Sequence, residues 1–129
     1  MLLQLETNHT QTIAFEIVDG FTENDELLAQ KYFQQKIDEG HEYINVLVKL
    51  DELKINKSST KAFMEDIIWL LRHYKQLGNL AIVAHSNILK ALVPIDNFFF
   101  ERLRKGFEER YFDSSQMEKA MDFVSGKQA

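Results

Sequence analysis

Cysteine is absent from this chain of 129 residues, and proline occurs once. The absence of cysteine excludes disulfides and thiolate metal sites, and it agrees with a reducing compartment. No apolar run approaches the ~20 residues that a membrane-spanning helix needs. The N-terminus has no basic residue before its apolar stretch and meets Glu6 almost at once, which is atypical of a signal peptide. We therefore expect a cytoplasmic protein.

Basic residues are too few to give the chain a strongly positive surface. Lysine and arginine number 15 against 20 aspartate and glutamate residues, for a formal net charge of −5. Proteins that bind nucleic acids normally present an excess of lysine and arginine on one face, so we expect no nucleic-acid partner. No linker or low-complexity tract interrupts the chain. With a hydrophobic content of 45%, this predicts one domain over residues 1–129.

Hydrophobic periodicity predicts alternating strands and helices. Side chains over residues 12–18 alternate with a period of two, which is typical of a strand with one well-buried face. Residues 2–5 are its expected hairpin partner. Thr22 and Asp25 have the spacing of a helix capping box, and the apolar stripe that follows them ends at Gly40.

The same alternation continues to the end of the chain. Residues 44–50 and 80–84 are compact apolar runs, as expected for interior strands covered by helices. Residues 63–74 have helical spacing, and residues 109–113 and 115–121 predict a strand followed by a capped helix. The resulting order, ββαβαβαβα with long crossovers, predicts an α/β fold with a mixed, mostly parallel five-stranded sheet.

Three segments follow one another in a distinctive order: Ile13-Ala14-Phe15-Glu16-Ile17, Gly20-Phe21-Thr22 and Arg110-Tyr111-Phe112-Asp113. Their order and spacing resemble the SpoIIAA-like family, small relatives of the STAS domain, over residues 13–124. The resemblance implies one antiparallel edge strand, helices mainly on one face of the sheet, and no established catalytic residue. Proteins of this fold include anti-anti-sigma regulators, STAS domains of transporters and lipid-carrying CRAL-TRIO proteins, so the fold alone selects no function.

The first candidate for a binding surface is the segment of residues 88–100. Its apolar residues occupy more of a helix circumference than one core-facing stripe needs, and contiguous exposed apolar area usually marks a ligand, a membrane or a partner. We expect it to bind an apolar small molecule or lipid, a peripheral membrane surface or a protein partner. Five residues would make the contact: Leu92, Ile95, Phe98, Phe99 and Phe100.

Basic residues flank this segment at Lys90, Arg102, Arg104 and Lys105. They would suit an anionic headgroup or a carboxylate on an apolar tail. In the alternative interpretation, the three consecutive phenylalanines complete the core and a homodimer contact. We therefore also expect a homodimer.

A run of hydroxyl side chains, Ser58-Ser59-Thr60, follows the strand over residues 44–50. The resemblance places it close to the phosphorylated serine of sporulation anti-anti-sigma factors, and a phosphate there would be favoured by a helix N-terminus. The preceding Asn56-Lys57 lacks the acidic residue of those loops, so helix capping is the simpler explanation. The alternative function is a regulator of the anti-anti-sigma type, switched by phosphorylation of Ser58 or Ser59.

Catalysis has weaker support in the sequence. His85, Asp51 and Asp113 each follow a predicted strand, which would place them near the carboxyl ends where open α/β sheets bind ligands, and a histidine beside a carboxylate can transfer protons. A histidine at a strand end is nevertheless commonly a turn residue. Neither a ligand-spaced histidine pair nor a nucleotide-binding glycine motif occurs. We expect no catalytic residue, metal or cofactor.

Overall fold

The structure, a computed structural model, describes residues 1–7, 9–20, 22–50, 76–85 and 109–125. In chain order the strands and helices are β1 (Leu2–Leu5), β2 (Thr12–Ile17), α1 (Glu23–Asp38), β3 (Ile44–Lys49), β4 (Leu77–Ala84), β5 (Glu109–Asp113), a 3₁₀ turn (Ser114–Gln116) and α2 (Met117–Val124).

The five strands form one sheet in the order β1-β2-β3-β4-β5. Strand β1 is antiparallel to β2, with Leu2 opposite Ile17, and the other neighbours are parallel. The predicted mixed, mostly parallel sheet with one antiparallel edge strand is therefore confirmed. Each parallel strand lies beside the one that precedes it in the chain, as connections through long crossovers require.

The capping box predicted from Thr22 and Asp25 forms at the start of α1. The Thr22 hydroxyl accepts a hydrogen bond from the Asp25 N–H at 3.2 Å, and the Asp25 carboxylate accepts one from the Thr22 N–H at 2.9 Å. These bonds satisfy two backbone donors that the first helical turn would otherwise leave unpaired. The helix ends at Asp38, two residues before Gly40, whose φ of 92° is readily adopted only by glycine.

The alternating side chains of the strands divide the core into two layers. The larger layer lies on the α1 side of the sheet, where Phe33 of the helix belongs to a cluster with twelve other described buried apolar residues. Ile13, Phe15 and Ile17, the predicted buried face of β2, are among them. The smaller layer lies on the α2 side, where Ala120 and Val124 of the helix are fully buried. Its strand residues are Ala14, Leu47, Ala81 and Val83.

The two described helices thus lie on opposite faces of the sheet. Helix α1 covers the larger apolar layer and α2 the smaller one. The segments predicted as further helices, residues 63–74 and 88–100, lie outside the described residues. The two described helices are divided equally between the faces. The prediction that helices lie mainly on one face concerns the segments 63–74 and 88–100 as well, and for them it stays a prediction.

The last helix begins slightly later than the sequence predicts. Its start was expected at Ser115, but Asp113 instead caps a 3₁₀ turn, and α2 begins at Met117. The Asp113 carboxylate accepts a hydrogen bond from the Ser115 N–H at 3.0 Å, and the Gln116 side chain accepts one from the Asp113 N–H at 3.2 Å. The end residue of the strand provides the cap because its side chain already faces the turn.

Candidate functional site

The carboxyl ends of β2 to β5 meet at one edge of the sheet because these strands are parallel. Val83 and Ala84 at the end of β4 are fully buried, whereas the next residue, His85, is exposed. The Leu50 N–H donates to the Val83 carbonyl at 2.8 Å, so the chain leaves β3 and β4 side by side. Open α/β sheets bind ligands outside this edge.

His85 and Asp113 are both at this edge, as predicted, but their side chains have different partners. The His85 Nδ1 lies 3.5 Å from the Ser114 hydroxyl oxygen. The Asp113 Oδ2 accepts hydrogen bonds from the Ser115 hydroxyl at 2.7 Å and from the Ser115 N–H at 3.0 Å. These bonds hold the pKa of Asp113 below its ordinary value, and the nearby His85 charge lowers it further despite a small opposing effect of burial.

This arrangement favours a structural role for Asp113. Asp113 is held by Ser115 as the cap of the 3₁₀ turn, and the 3.5 Å between the His85 Nδ1 and the Ser114 hydroxyl oxygen is longer than a usual hydrogen bond. Asp51, the other carboxylate considered with His85, lies outside the described residues. The sequence analysis did not identify Ser114 as a candidate residue. The available signal was its position directly after Asp113, the last residue of a predicted strand.

The residues predicted to bind a ligand, membrane or partner, and those predicted to be phosphorylated, lie outside the described residues. They are Leu92, Ile95, Phe98, Phe99, Phe100, Ser58 and Ser59. Both segments continue the chain from the carboxyl edge, since they follow β4 and β3 respectively. Their roles stay predictions.

A buried polar network that the sequence analysis missed lies at the opposite edge of the sheet. The Asn45 side-chain amide donates to the Val124 carbonyl at 2.7 Å, and the Thr12 hydroxyl donates to the same oxygen at 2.8 Å. The Asn45 Oδ1 accepts a hydrogen bond from the Asn79 N–H at 2.8 Å. The network ties the C-terminus of α2 to β2, β3 and β4, and its sequence signal is an asparagine within an apolar strand.

Asn45 is accommodated by an irregularity between β3 and β4. Ile44 pairs with Leu77 and Val46 pairs with Leu80, so the register shifts between the two pairs. A Cβ atom at Gly78 would clash with the Asn45 Oδ1 and would lie 3.4 Å from the Ile44 carbonyl. The glycine therefore leaves room for the asparagine side chain to enter the strand pair.

A shallow pocket of about 550 Å³ opens between the β1–β2 connection and the last turns of α1. Its lining is mostly polar and consists of Gln4, Leu5, Glu6, Thr7, His9, Thr10, Thr12 and Lys36. The Lys36 ammonium lies 3.7 Å from a Glu39 carboxylate oxygen, and the Thr7 hydroxyl bonds the backbone of His9. The side chains of Lys36 and Thr7 in the lining are thus engaged in local contacts.

No group of three or more histidine or carboxylate side chains that could hold a metal ion occurs within the described part of the chain. Neither of the helices described there is long and apolar enough to cross a membrane. The candidate sites among the described residues are therefore the two ends of the parallel strands and the pocket beside α1.

Comparison with known proteins identifies the family. No curated protein and no solved structure matches the chain. The family model described as SpoIIAA-like matches residues 12–125, from the first residue of β2 to just beyond the end of α2. This range covers most of the chain and the four parallel strands of its sheet, in agreement with the resemblance in sequence. The chain therefore belongs to the SpoIIAA-like family.

Proposed function

We propose that this SpoIIAA-like domain is a non-enzymatic binding domain that acts through residues 88–100. The observation that supports the proposal most directly is the apolar content of this segment, which contains Leu92, Ile95, Phe98, Phe99 and Phe100. Apolar side chains beyond the needs of a core favour an apolar ligand, a membrane surface or a protein partner.

The position of the segment in the fold supports the same conclusion. Strand β4 lies between β3 and β5, and its end is fully buried up to Ala84. The chain leaves the core at His85, at the carboxyl edge, and re-enters the sheet at Glu109 opposite Leu80. The connection that contains residues 88–100 thus starts at the edge where α/β sheets bind their ligands.

The flanking charges favour a ligand of one chemical class. Lys90, Arg102, Arg104 and Lys105 adjoin the apolar residues in the sequence, although the whole chain has a net charge of −5. A local excess of cations beside apolar side chains suits a molecule with an anionic head and an apolar tail. An apolar small molecule or lipid is therefore the preferred ligand, and a membrane surface or a protein partner is the alternative outcome of the test.

The carboxyl edge supports binding over catalysis. Asp113 is engaged by Ser115 and has a lowered pKa, so it is poorly suited to accept a proton. Within the described residues, His85 has one hydrogen-bonding contact, a long one with the Ser114 hydroxyl. A histidine and a carboxylate that act together in proton transfer would need a direct hydrogen bond or one bridging water.

The test replaces Phe98 and Phe99 by serine in one variant. Native mass spectrometry should detect a lipid-sized adduct on the unmodified protein and little or none on the variant, with unchanged far-UV circular dichroism. The matched control is Leu27→Ser, because Leu27 on α1 is a 57% exposed apolar side chain away from the segment. If the variant unfolds, or if ligand, liposome and partner binding are equal in all three proteins, the proposal is wrong.

Phosphorylation of Ser58 or Ser59 is the second candidate function. It is favoured by the end of β3, where the Leu50 N–H bonds Val83 and the chain leaves the sheet next to the start of the 88–100 connection. A regulatory phosphate on the hydroxyl run could therefore influence the proposed binding segment. The test is intact-mass analysis of the protein isolated from its own cells, with a Ser58→Ala/Ser59→Ala variant as the control. A phosphate adduct is expected on the protein with the natural sequence and not on the variant.

A further inference from the structure

Strand β1 is one edge of the sheet, and its hydrogen-bonding pattern shows which backbone groups face outward. Met1 and Val18 exchange two hydrogen bonds, from the Met1 ammonium at 2.8 Å and from the Val18 N–H at 2.9 Å. In an antiparallel ladder such pairs alternate with pairs that exchange none. With the observed register, Leu2 and Gln4 belong to the second kind, and their N–H and C=O groups point away from β2.

One of these outward donors is already satisfied within the domain. The Leu2 N–H donates to the Asp25 Oδ1 at 3.0 Å, so the cap of α1 also covers the first position of the edge. Gln4 keeps both its N–H and its C=O facing outward, and its side chain is exposed. The open part of the edge is therefore centred on Gln4.

The two edges of the described sheet differ in their protection against pairing. Strand β5 contains Glu109, Arg110 and Asp113, whereas residues 2–5 in β1 contain no charged residue and no proline. The Leu3 side chain on β1 is 40% exposed. Natural edge strands are normally guarded by charges, prolines or bulges, and an apolar edge without them is a site of pairing with another strand.

We propose that β1 pairs with β1 of a second copy of this chain, antiparallel and centred on Gln4. The two Gln4 residues exchange their N–H and C=O groups across a two-fold axis. The pairing does not extend to Leu2, because the Asp25 carboxylate already occupies the position in front of the Leu2 N–H. The two sheets become one continuous sheet across the dimer.

The sequence of β1 is self-complementary in this arrangement. Antiparallel pairing about Gln4 places Leu3 opposite the second copy's Leu5, and both side chains lie on the α2 side of the sheet. Leu5 is already partly buried there against the smaller core layer. The two Glu6 side chains lie opposite Leu2 and not opposite each other in this register. This complementarity favours a second copy over an unrelated extended peptide.

The proposal is independent of the binding function assigned to residues 88–100, and its test separates the two. The variants are Leu3→Lys, which adds a charge to the edge, and Gln4→Pro, which removes an outward N–H that donates to no group in the described part of the chain. Leu27→Lys is the control because it adds the same charge at an exposed apolar position of α1. Sedimentation equilibrium of the full chain measures the dimer dissociation constant.

We expect the unmodified protein and Leu27→Lys to dimerise equally and each β1 variant to weaken the dimer by at least about tenfold, which corresponds to about 1.4 kcal/mol. Circular dichroism verifies that each variant is folded, and either β1 variant alone suffices if the other does not fold. A monomeric unmodified protein at the highest soluble concentration overturns the proposal. A dimer that persists in a folded β1 variant also overturns it and assigns the interface to another surface.

Discussion

The Asn45 side-chain amide donates a 2.7 Å hydrogen bond to the Val124 carbonyl, the last residue of α2, across 79 positions of the chain. Helix C-termini leave their last carbonyls without helical partners. Here Asn45 and Thr12 donate to one of them from two neighbouring strands. The position of α2 on the sheet is therefore fixed by polar side chains as well as by its apolar contacts.

We predict that Asn45→Ala lowers the free energy of unfolding by about 1–3 kcal/mol, because the half-buried Asn79 N–H loses its acceptor and the Val124 carbonyl loses a donor. Thr12→Val removes only one donor to the same carbonyl and should cost about 1 kcal/mol. The double variant should lose more than the sum of the two, since it leaves that oxygen with neither donor. Urea unfolding measures all three; strict additivity would contradict a shared acceptor.

We predict that Gly78→Ala destabilises the protein by about 1–3 kcal/mol, because the added Cβ would collide with the Asn45 side chain. In an Asn45→Ala background the same substitution should cost much less, since the colliding atom is gone. Gly20→Ala is the control, because a Cβ at Gly20 meets no atom within 4 Å. Equal costs of Gly78→Ala in both backgrounds would show that the asparagine is not the cause.

We predict that Asp25 stabilises the fold in a pH-dependent way. Burial by itself raises the pKa of Asp25, but hydrogen bonds from Thr22, from the N-terminal ammonium and from the Leu2 N–H outweigh it and lower the pKa below its ordinary value of 3.8. Because the folded-state pKa is the lower one, the stabilisation is complete above the unfolded-state pKa and is lost as the pH falls through the folded-state pKa.

Asp25→Asn should therefore reduce the free energy of unfolding at neutral pH and flatten its decline on acidification below about pH 4. Chemical unfolding at a series of pH values measures both effects. Asp38→Asn is the control for the loss of one negative charge, since Asp38 is exposed at the other end of α1. An Asp25→Asn variant with the acid dependence of the unmodified protein would contradict the role assigned to this carboxylate.

We predict that Ser115→Ala raises the pKa of Asp113 towards its ordinary value, because the Ser115 hydroxyl is the main stabiliser of the ionised carboxylate. Ser114→Ala is the matched control, and it should leave the Asp113 titration almost unchanged. Carboxyl-detected NMR titration follows Asp113 directly. A larger change in the Asp113 pKa with Ser114→Ala than with Ser115→Ala would contradict this assignment. It would indicate that the contact between Ser114 and His85 controls the Asp113 titration.

Much of the fold could be predicted from local signals in the sequence. The alternation that includes Ile13, Phe15 and Ile17 identified β2, and the three-residue spacing of Thr22 and Asp25 identified the start of α1. Such patterns depend on neighbours along the chain, so they are visible without the structure. The start of α2 was misplaced because Asp113, the last residue of a strand, also caps the following turn.

The contacts between distant parts of the chain could not be predicted in the same way. Asn45 reads as an ordinary polar position within β3, and only the structure shows that its side chain enters the β3–β4 pair beside Gly78 and reaches Val124. The same holds for Asp25, which the sequence identified as a cap but not as the acceptor for the edge strand at Leu2. The binding role proposed for residues 88–100 is based on the apolar pattern of their sequence and on their position in the chain after β4.

Native mass spectrometry of the freshly purified protein, alongside the Phe98→Ser/Phe99→Ser variant and the Leu27→Ser control, tests the central proposal most directly. We predict a lipid-sized adduct on the unmodified protein and on Leu27→Ser, and its loss from the folded phenylalanine variant. Ligand-free spectra from all three proteins, with no liposome binding and no change in association by the phenylalanine variant, would contradict a binding function for residues 88–100.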